Sequence, residues 1–331
     1  MRAARTIPHP DGGRVTVVEI PTPTPGPGEV LVKVKASGLN RGEILQAGRV
    51  RTGEPQPIGV EFAGVVAAVG SDVADWREGD RVMGHGGGGQ AEYTLASPLA
   101  LMRVPDTLSW VEAAAFPNVF ITAHDALITN GQLRCGETVL VNAASSGIGL
   151  AAIEIARAMG AGSVIATSRS PEKVRRLREL GVDCAVDLST TSQVEAVATC
   201  TGGRGVDVVI DSVGGTVFEA NLESLAVQGR LVNIGRLGSS TATIDLTALW
   251  RKRLRLIGVT FQTRTEEERI ACIQACGRDL LEPLAAGRVR PIVDRTFGLD
   301  EIAAAHAYMS TDRHFGKIVL RVDDRLEEDA A

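Results

Sequence analysis

The feature that most constrains this chain is an alternation of apolar strands and amphipathic helices that starts near residue 137. "ETVLVNA" reads as a buried strand, "ASSGIG" as a turn, and "GLAAIEIARAMGA" as a helix closed by glycine. "SVIATS" and "PEKVRRLRELG" repeat the unit, with Pro at the helix start and Gly at its end. "VDVVIDSVGG", "GRLVNIG" and "LRLIGVT" supply further strands. Strands joined by helices pair in parallel, because each helix carries the chain back along a face of the sheet. The segment therefore predicts a doubly wound α/β sheet.

A strand, a small-residue turn and a helix start also make a pyrophosphate site, since backbone N–H groups and the helix dipole point at the anion. The turn "VNAASSGIG" (141–149) does not spell G-x-G-x-x-G. Its small positions read as Ala144, Ser146 and Gly149, or one turn later as Gly147, Gly149 and Ala152; Ser145 and Ile148 complete the cradle. A site for an unphosphorylated ribose carries Asp or Glu about 20 residues beyond the turn. Here that place holds Thr167, Ser168, Arg169 and Ser170, with Lys173 one turn on and no carboxylate before Glu172. Hydroxyls and cations there suit a 2′-phosphate, so the expected cofactor is NADPH. The plainer alternative is that Arg169 and Lys173 decorate an exposed helix start.

The turn sits late because another domain precedes it, as 331 residues allow. "RVTVVEI", "VLVKVKASG" and "FAGVVAAVGSDV" are strand-like runs bounded by Gly or Pro, which predicts a β-rich, partly barrel-like unit over residues 1–100. Ser109 and Glu112 form a capping box before a short helix that Pro117 closes. "HFGKIVLRV" reads as a strand returning to the N-terminal unit, and "DDRLEEDAA" as a frayed acidic tail.

The net charge of −5 gives no reason to expect nucleic acid, and "RKRLR" (251–255) reads as a solvated entry to the apolar run after it. No run nears the ~18 apolar residues of a membrane span, and "MRAARTIPHPDGG" lacks the apolar core of a signal peptide. Cysteines 135, 184, 200, 272 and 276 are scattered and odd in number, which predicts reduced thiols and a cytoplasmic protein. The apolar strand "RLRLIGVT" could pair with its own copy, giving a homodimer.

Several segments, in order, resemble the zinc-free NADPH:quinone (enone) reductase branch of the medium-chain dehydrogenases/reductases. They are "PTPGPGEVLVKVKASGLN" (23–40), "PIGVEFAGVVAAVGSDV" (57–73), "EGDRVMG" (78–84), "AEY" (91–93), "EAAAFPNVFITA" (112–123), "GETVLVNAASSGIGLAAIEIARAMGA" (136–161), "GVDVVIDSVGG" (205–215) and "GKIVL" (316–320). The resemblance implies a Rossmann domain, 121–263, inserted into a β-rich GroES-like catalytic domain, 1–120 with 264–331. It implies a small carbonyl-conjugated substrate. "SSGIG" is also similar to the short-chain dehydrogenase turn, but neither Tyr93 nor Tyr308 begins the Tyr-x-x-x-Lys pair that family needs.

The zinc members of the superfamily ligate metal at three places that match Asn40, Val60 and Asn118, and these are poor or impossible ligands. Cys272 and Cys276 lack two further partners, so no metal is expected. Without that Lewis acid, reduction of a conjugated C=C or a quinone is easier than reduction of an isolated ketone. The resemblance makes Asn40 the hydrogen-bond donor to the substrate oxygen, sets Thr122 by the nicotinamide, and lets Tyr93 line the pocket; the plainer alternatives are a loop amide bonded to its own backbone, a helix hydroxyl bonded to its own turn, and a buried strand tyrosine. Gly235, Arg236 and Leu237 are expected to wall the nicotinamide, Arg264 to reach the phosphates, and Lys317 to join the cofactor set. His85 reads as a solvated loop histidine with a proton donor as the alternative; Glu43 also stays open as the acid. Phe62, Leu45 and Phe120 could shape the pocket or belong to the core. An enoyl-thioester reductase and a non-catalytic NADPH-binding protein are the competing functions.

Overall fold

The structure is a computed structural model that describes residues 1–323; the acidic tail lies outside them beyond Asp323. The chain divides into two compact units, one comprising Met1–Val119, Ile270–Ala286 and the segment from Pro291 onward, the other Phe120–Arg269 and Gly287–Arg290.

The first unit is built on strands. β1 (Arg2–Ile7) lies between β2 (Arg14–Glu19) and the two-residue β4 (Gln56–Pro57). β3 (Val30–Gly38) is the spine of a larger sheet: it pairs antiparallel with β5 (Glu61–Val69) and with β7 (Tyr93–Ala96). β5 continues to β6 (Arg81–His85) and then to β8 (Leu101–Arg103). The burial of β3 follows the pleat, with Val30, Val32 and Val34 inside beside Phe62 and Val82. α1 (Arg41–Ala47) leaves the end of β3. α2 (Trp110–Ala114) starts at the capping box read from the sequence: Ser109 Oγ accepts from Glu112 N at 3.2 Å, and Glu112 accepts from Ser109 N at 3.0 Å. α3 (Pro117–His124) follows, then a π-helix over Asp125–Asn130.

The second unit alternates β9 (Thr138–Val141), α4 (Gly147–Ala158), β10 (Ser163–Ser168), α5 (Pro171–Glu179), β11 (Cys184–Asp187), α6 (Gln193–Thr201), β12 (Val206–Asp211), α7 (Phe218–Ser224), β13 (Leu225–Asn233), α8 (Leu246–Lys252) and β14 (Arg255–Gly258). Its strands pair in parallel, in the spatial order β11-β10-β9-β12-β13-β14. The chain winds outward from β9 in one direction and then from β12 in the other, which opens a crevice at their carboxyl ends. β9 is buried throughout, as a strand covered on both faces must be. Among the described helices, none is long and apolar enough to cross a membrane.

α9 (Glu266–Ala285) leads back to the first unit, where β15 (Val293–Gly298) and β16 (Lys317–Arg321) flank α10 (Ile302–Ser310). β16 joins the spine strand β3, so the returning strand closes the sheet as the sequence suggested. The cysteine reading needs correction. Cys184, at the start of β11, is disulfide-bonded to Cys200 near the end of α6. A spacing of 16 residues did not reveal that the crossover brings them together. Cys135, Cys272 and Cys276 take no part in a disulfide.

Candidate active site

The nucleotide turn is held open by its neighbours. Ala144 N donates to Thr167 O of β10, and Asn142 N to Ile210 O of β12, so the turn is tied across the crevice. Ser146 caps α4 by accepting from Gly149 N at 3.1 Å. The half-exposed amides of Gly147 and Ile148 find no acceptor among the described residues. A Cβ on Gly149 would lie 2.7 Å from Ala144 Cα, so this glycine lets the helix approach the turn. That contact favours the register Ala144, Ser146, Gly149. Ala143 enters the turn at φ 47°, a left-handed conformation strained for alanine.

The rim of the crevice is polar. Asn142 Oδ1 and Ser212 Oγ are buried with no hydrogen-bond partner, at the ends of β9 and β12. Such atoms are costly unless a ligand or water meets them. Burial raises the Asp211 carboxyl, which accepts from Val213 N at 2.8 Å and Gly214 N at 3.0 Å and so shapes the loop after β12. Leu237 N and Gly238 N donate to Ser212 O and Val213 O, which draws Gly235, Arg236 and Leu237 alongside. Leu237 is 57% exposed. Ser168 ends β10 and accepts from Ser170 N, while Arg169 is exposed and Lys173 half-buried in the first turn of α5. These residues fit a dinucleotide: amides and a helix start for its pyrophosphate, and hydroxyls and cations where its adenosine ribose would lie.

Two expected cofactor residues are engaged elsewhere. Arg264 pairs with buried Asp125 at 2.7 Å, donates to Thr260 O, and lies over the Phe261 ring. Lys317 lies in the first unit, 4% exposed, and bonds Leu39 O (2.8 Å), Asn40 Oδ1 (2.8 Å) and Glu61 Oε1 (2.6 Å). Three contacts use all three donors of an ammonium.

Lys317 anchors a buried polar lock at the locus that zinc members use for metal. Asn40 follows β3 and caps α1; its amide nitrogen donates to Glu61 Oε1 at 2.9 Å and to Glu43 Oε1 at 3.2 Å. Both hydrogens of that amide are thereby committed, so Asn40 has none left for a substrate oxygen. Asn118, at the start of α3, donates from its backbone to Glu61 Oε2 at 2.7 Å and from its side chain to Asn40 Oδ1 at 2.7 Å. His85 Nε2 lies 3.2 Å from Asn118 Oδ1 at the end of β6, so it belongs to the lock rather than to a solvated loop. Because an ammonium can only donate, Lys317 fixes the Asn40 oxygen toward itself. Asn118 must then offer its oxygen to His85, which sets the proton on Nε2.

Glu43 closes the lock from below. Its two oxygens accept from Asn40 N, Asn40 Nδ2, Val60 N and Gln90 Nε2. Burial pushes its carboxyl up to about 7, against the pull of Lys317 and of the Asn40 bonds. Sequence reasoning missed Glu61 and Gln90 and misplaced Lys317, because the Lys317–Glu61 contact spans 256 residues. Among the described residues, no group of three or more His, Cys, Asp or Glu could hold a metal ion. The three matched positions offer two amides and a valine, and the Glu61 and Glu43 carboxylates and the His85 imidazole beside them are already bonded within the lock, so the locus does not fit zinc.

The remaining candidates separate. Thr122 lies one helical turn beyond Asn118 on α3, and Tyr93 stands half-buried on β7, outside the lock. Phe62 and Phe120 are core residues, whereas Leu45 is 54% exposed.

Two protein families match the chain: "Alcohol dehydrogenase GroES-like domain" over residues 26–106 and "Zinc-binding dehydrogenase" over residues 147–275. A Bos taurus protein called "Quinone oxidoreductase-like protein 2" is 35% identical over 310 residues, 92% of this chain and 88% of the relative. "Highly reducing polyketide synthase ALT1" of Alternaria alternata is 33% identical over 303 residues, 88% of this chain but 11% of that much longer protein. The crystal structure of a Pseudomonas syringae pv. Tomato DC3000 quinone oxidoreductase superposes with a TM-score of 0.85 at 28% identity, covering 97% of this chain and 99% of that one. With a GroES-like unit, a Rossmann unit that fits a nicotinamide dinucleotide, and these relatives, the chain belongs to the medium-chain dehydrogenase/reductase family, in its quinone oxidoreductase branch.

Proposed function

We propose that this protein is an NADPH-dependent reductase of quinones, enones or related activated alkenes that works without zinc. The observation that carries this reading is the polar lock, in which Lys317, Asn40, Glu61 and Asn118 fill the metal locus with mutually bonded groups. A site with no Lewis acid suits an acceptor whose negative charge already delocalises as it is reduced. When bound, the nicotinamide supplies the hydride. The amides of Gly147 and Ile148, in the turn at 144–149, hold its pyrophosphate, and Ser168, Arg169 and Lys173 hold the 2′-phosphate. Gly235, Arg236 and Leu237 wall the nicotinamide, Thr122 offers it a hydroxyl, and Tyr93 borders the substrate. Asn40 acts as a positioning residue that holds Asn118.

The polyketide synthase relative favours a second reading, reduction of an enoyl thioester. We also infer a homodimer; the Cys184–Cys200 disulfide removes the thiol argument for a cytoplasmic protein. β14 ends the sheet, and Trp250 (74%), Leu246 (66%) and Leu256 (40%) are exposed around it. A monomeric mass by light scattering would remove the dimer.

The test is anaerobic oxidation of NADPH and NADH, followed at the nicotinamide absorbance, with a quinone, a short 2-enone, an enoyl-CoA and a saturated ketone. Faster NADPH oxidation with the quinone or enone and none with the ketone is the expected result. Turnover of the ketone alone would overturn the zinc-free reading.

A further inference from the structure

Beside the lock, the first unit contains a cavity of about 620 Å³, within the size range of drug-sized ligand sites. Glu43 and Val60 border it, so it abuts the lock directly. Ala47, Val50, Pro57 and Ile58 supply apolar wall, and Arg49 and Arg51 add two cations. Glu43 is the one acid in that lining, and its oxygens already accept four N–H donors. Neither arginine forms an ion pair among the described residues; Arg51 donates to the Pro10 carbonyl. A lining that combines apolar wall with two unneutralised guanidiniums matches an amphiphile with an apolar body and an anionic group.

We infer that Arg49 and Arg51 form an anion subsite, and that this reductase selects activated alkenes carrying a phosphate or carboxylate distant from the reacting double bond. The inference rests on the proposed reduction and adds a substrate class to it. In the reaction, the alkene β-carbon gains the hydride and its α-carbon a solvent proton. The C=C bond becomes C–C, and the dihydronicotinamide is oxidised to the nicotinamide. The anion takes no part in bond changes; its ion pairs only orient the chain.

The source of the anion is separated by the substrates compared: an enoyl-CoA, the same acyl group on a phosphate-free pantetheine, an enone ending in a carboxylate, and a neutral enone of equal length. Each is assayed with wild-type protein and with R49Q/R51Q, at low and at high salt. The expected result is a KM for the anionic substrates that rises at least about tenfold in R49Q/R51Q, with kcat and the neutral enone unchanged. The wild-type preference should also fade as salt rises. Calorimetry without NADPH, using the saturated product of the preferred anionic substrate, reads the subsite independently of turnover. Equal KM values for charged and neutral substrates in the wild type, or product binding unchanged in R49Q/R51Q, would overturn the inference. Retained, arginine-dependent product binding with no turnover of any acceptor would instead break the reduction reading and leave the subsite standing.

Discussion

The nucleotide turn and the polar lock treat their polar groups in opposite ways. Around the turn, amides at Gly147 and Ile148, Asn142 Oδ1 and Ser212 Oγ lack partners within the described protein. In the lock, the ammonium of Lys317, both hydrogens of the Asn40 amide and both oxygens of Glu43 are all bonded. A surface with unmet polar groups is prepared to take a ligand, whereas an interior cluster bonded at nearly every polar group, the Gln90 Oε1 excepted, is prepared to hold its shape. The positions matched to metal ligands in zinc members, Asn40, Val60 and Asn118, are here held within an internally bonded cluster.

The strongest way to break this comparison is to remove the lock's cation. In K317M the Glu61 carboxylate, 0% exposed, would be left without its charge partner, and stability should fall by about 3–5 kcal/mol. Chemical denaturation measures this, and K317M/E61Q should recover a substantial part because the stranded charge is gone. A loss below about 1 kcal/mol would mean that the lock is not a structural unit. On the open side, R169S should raise the KM for NADPH about ten- to a hundredfold and leave NADH unchanged. Equal effects on the two cofactors would remove Arg169 from the 2′-phosphate.

A pH titration sharpens the contrast further. The Glu43 carboxyl stands at about 7 in the folded protein against an ordinary 4.5. Between those values the folded state keeps a proton that the unfolded chain has lost. Its contribution is therefore fully present below about 4.5 and is lost as pH rises to 7. Half-buried His306, held below its ordinary range by desolvation, contributes in the opposite sense, so the useful quantity is the difference from E43Q. Wild-type stability measured against E43Q should decline from pH 4.5 to 7, and a difference flat across that range would break the assignment. The smallest effect belongs to the turn: A143G should relieve the left-handed strain and stabilise the protein by up to about 1 kcal/mol. A destabilised A143G would show that the methyl group packs usefully there.

Sequence reading reached the local features and missed those made at a distance. The strand–turn–helix at 138–158 and the Ser109–Glu112 cap were legible because periodicity and capping act within a few residues. That "HFGKIVLRV" forms a strand returning to the N-terminal unit was also legible, though its pairing with β3 was not. The lock was not. Glu61 lies in "GVEFAG" and Lys317 in "GKIVL", and neither segment marks a charge that will be fully buried. Asn40 looked like a donor to substrate because its position matches a ligand in relatives, while its actual partners come from β5, α1, α3 and β16. The pairing of Arg264 with Asp125, 139 residues earlier, was hidden from the sequence in the same way.

The return of β16 also sets an order of events during synthesis. Glu61 is made early, yet its countercharge arrives only when residue 317 has been added, after the whole Rossmann unit. A ribosome-bound chain thus exposes a β-rich half with an unfinished sheet edge and a stranded carboxylate, while the later α/β half already possesses every strand it needs. The Rossmann unit can therefore complete its sheet while the first unit still waits for β16 and Lys317, the reverse of the usual order in which the domain made first has all it needs first.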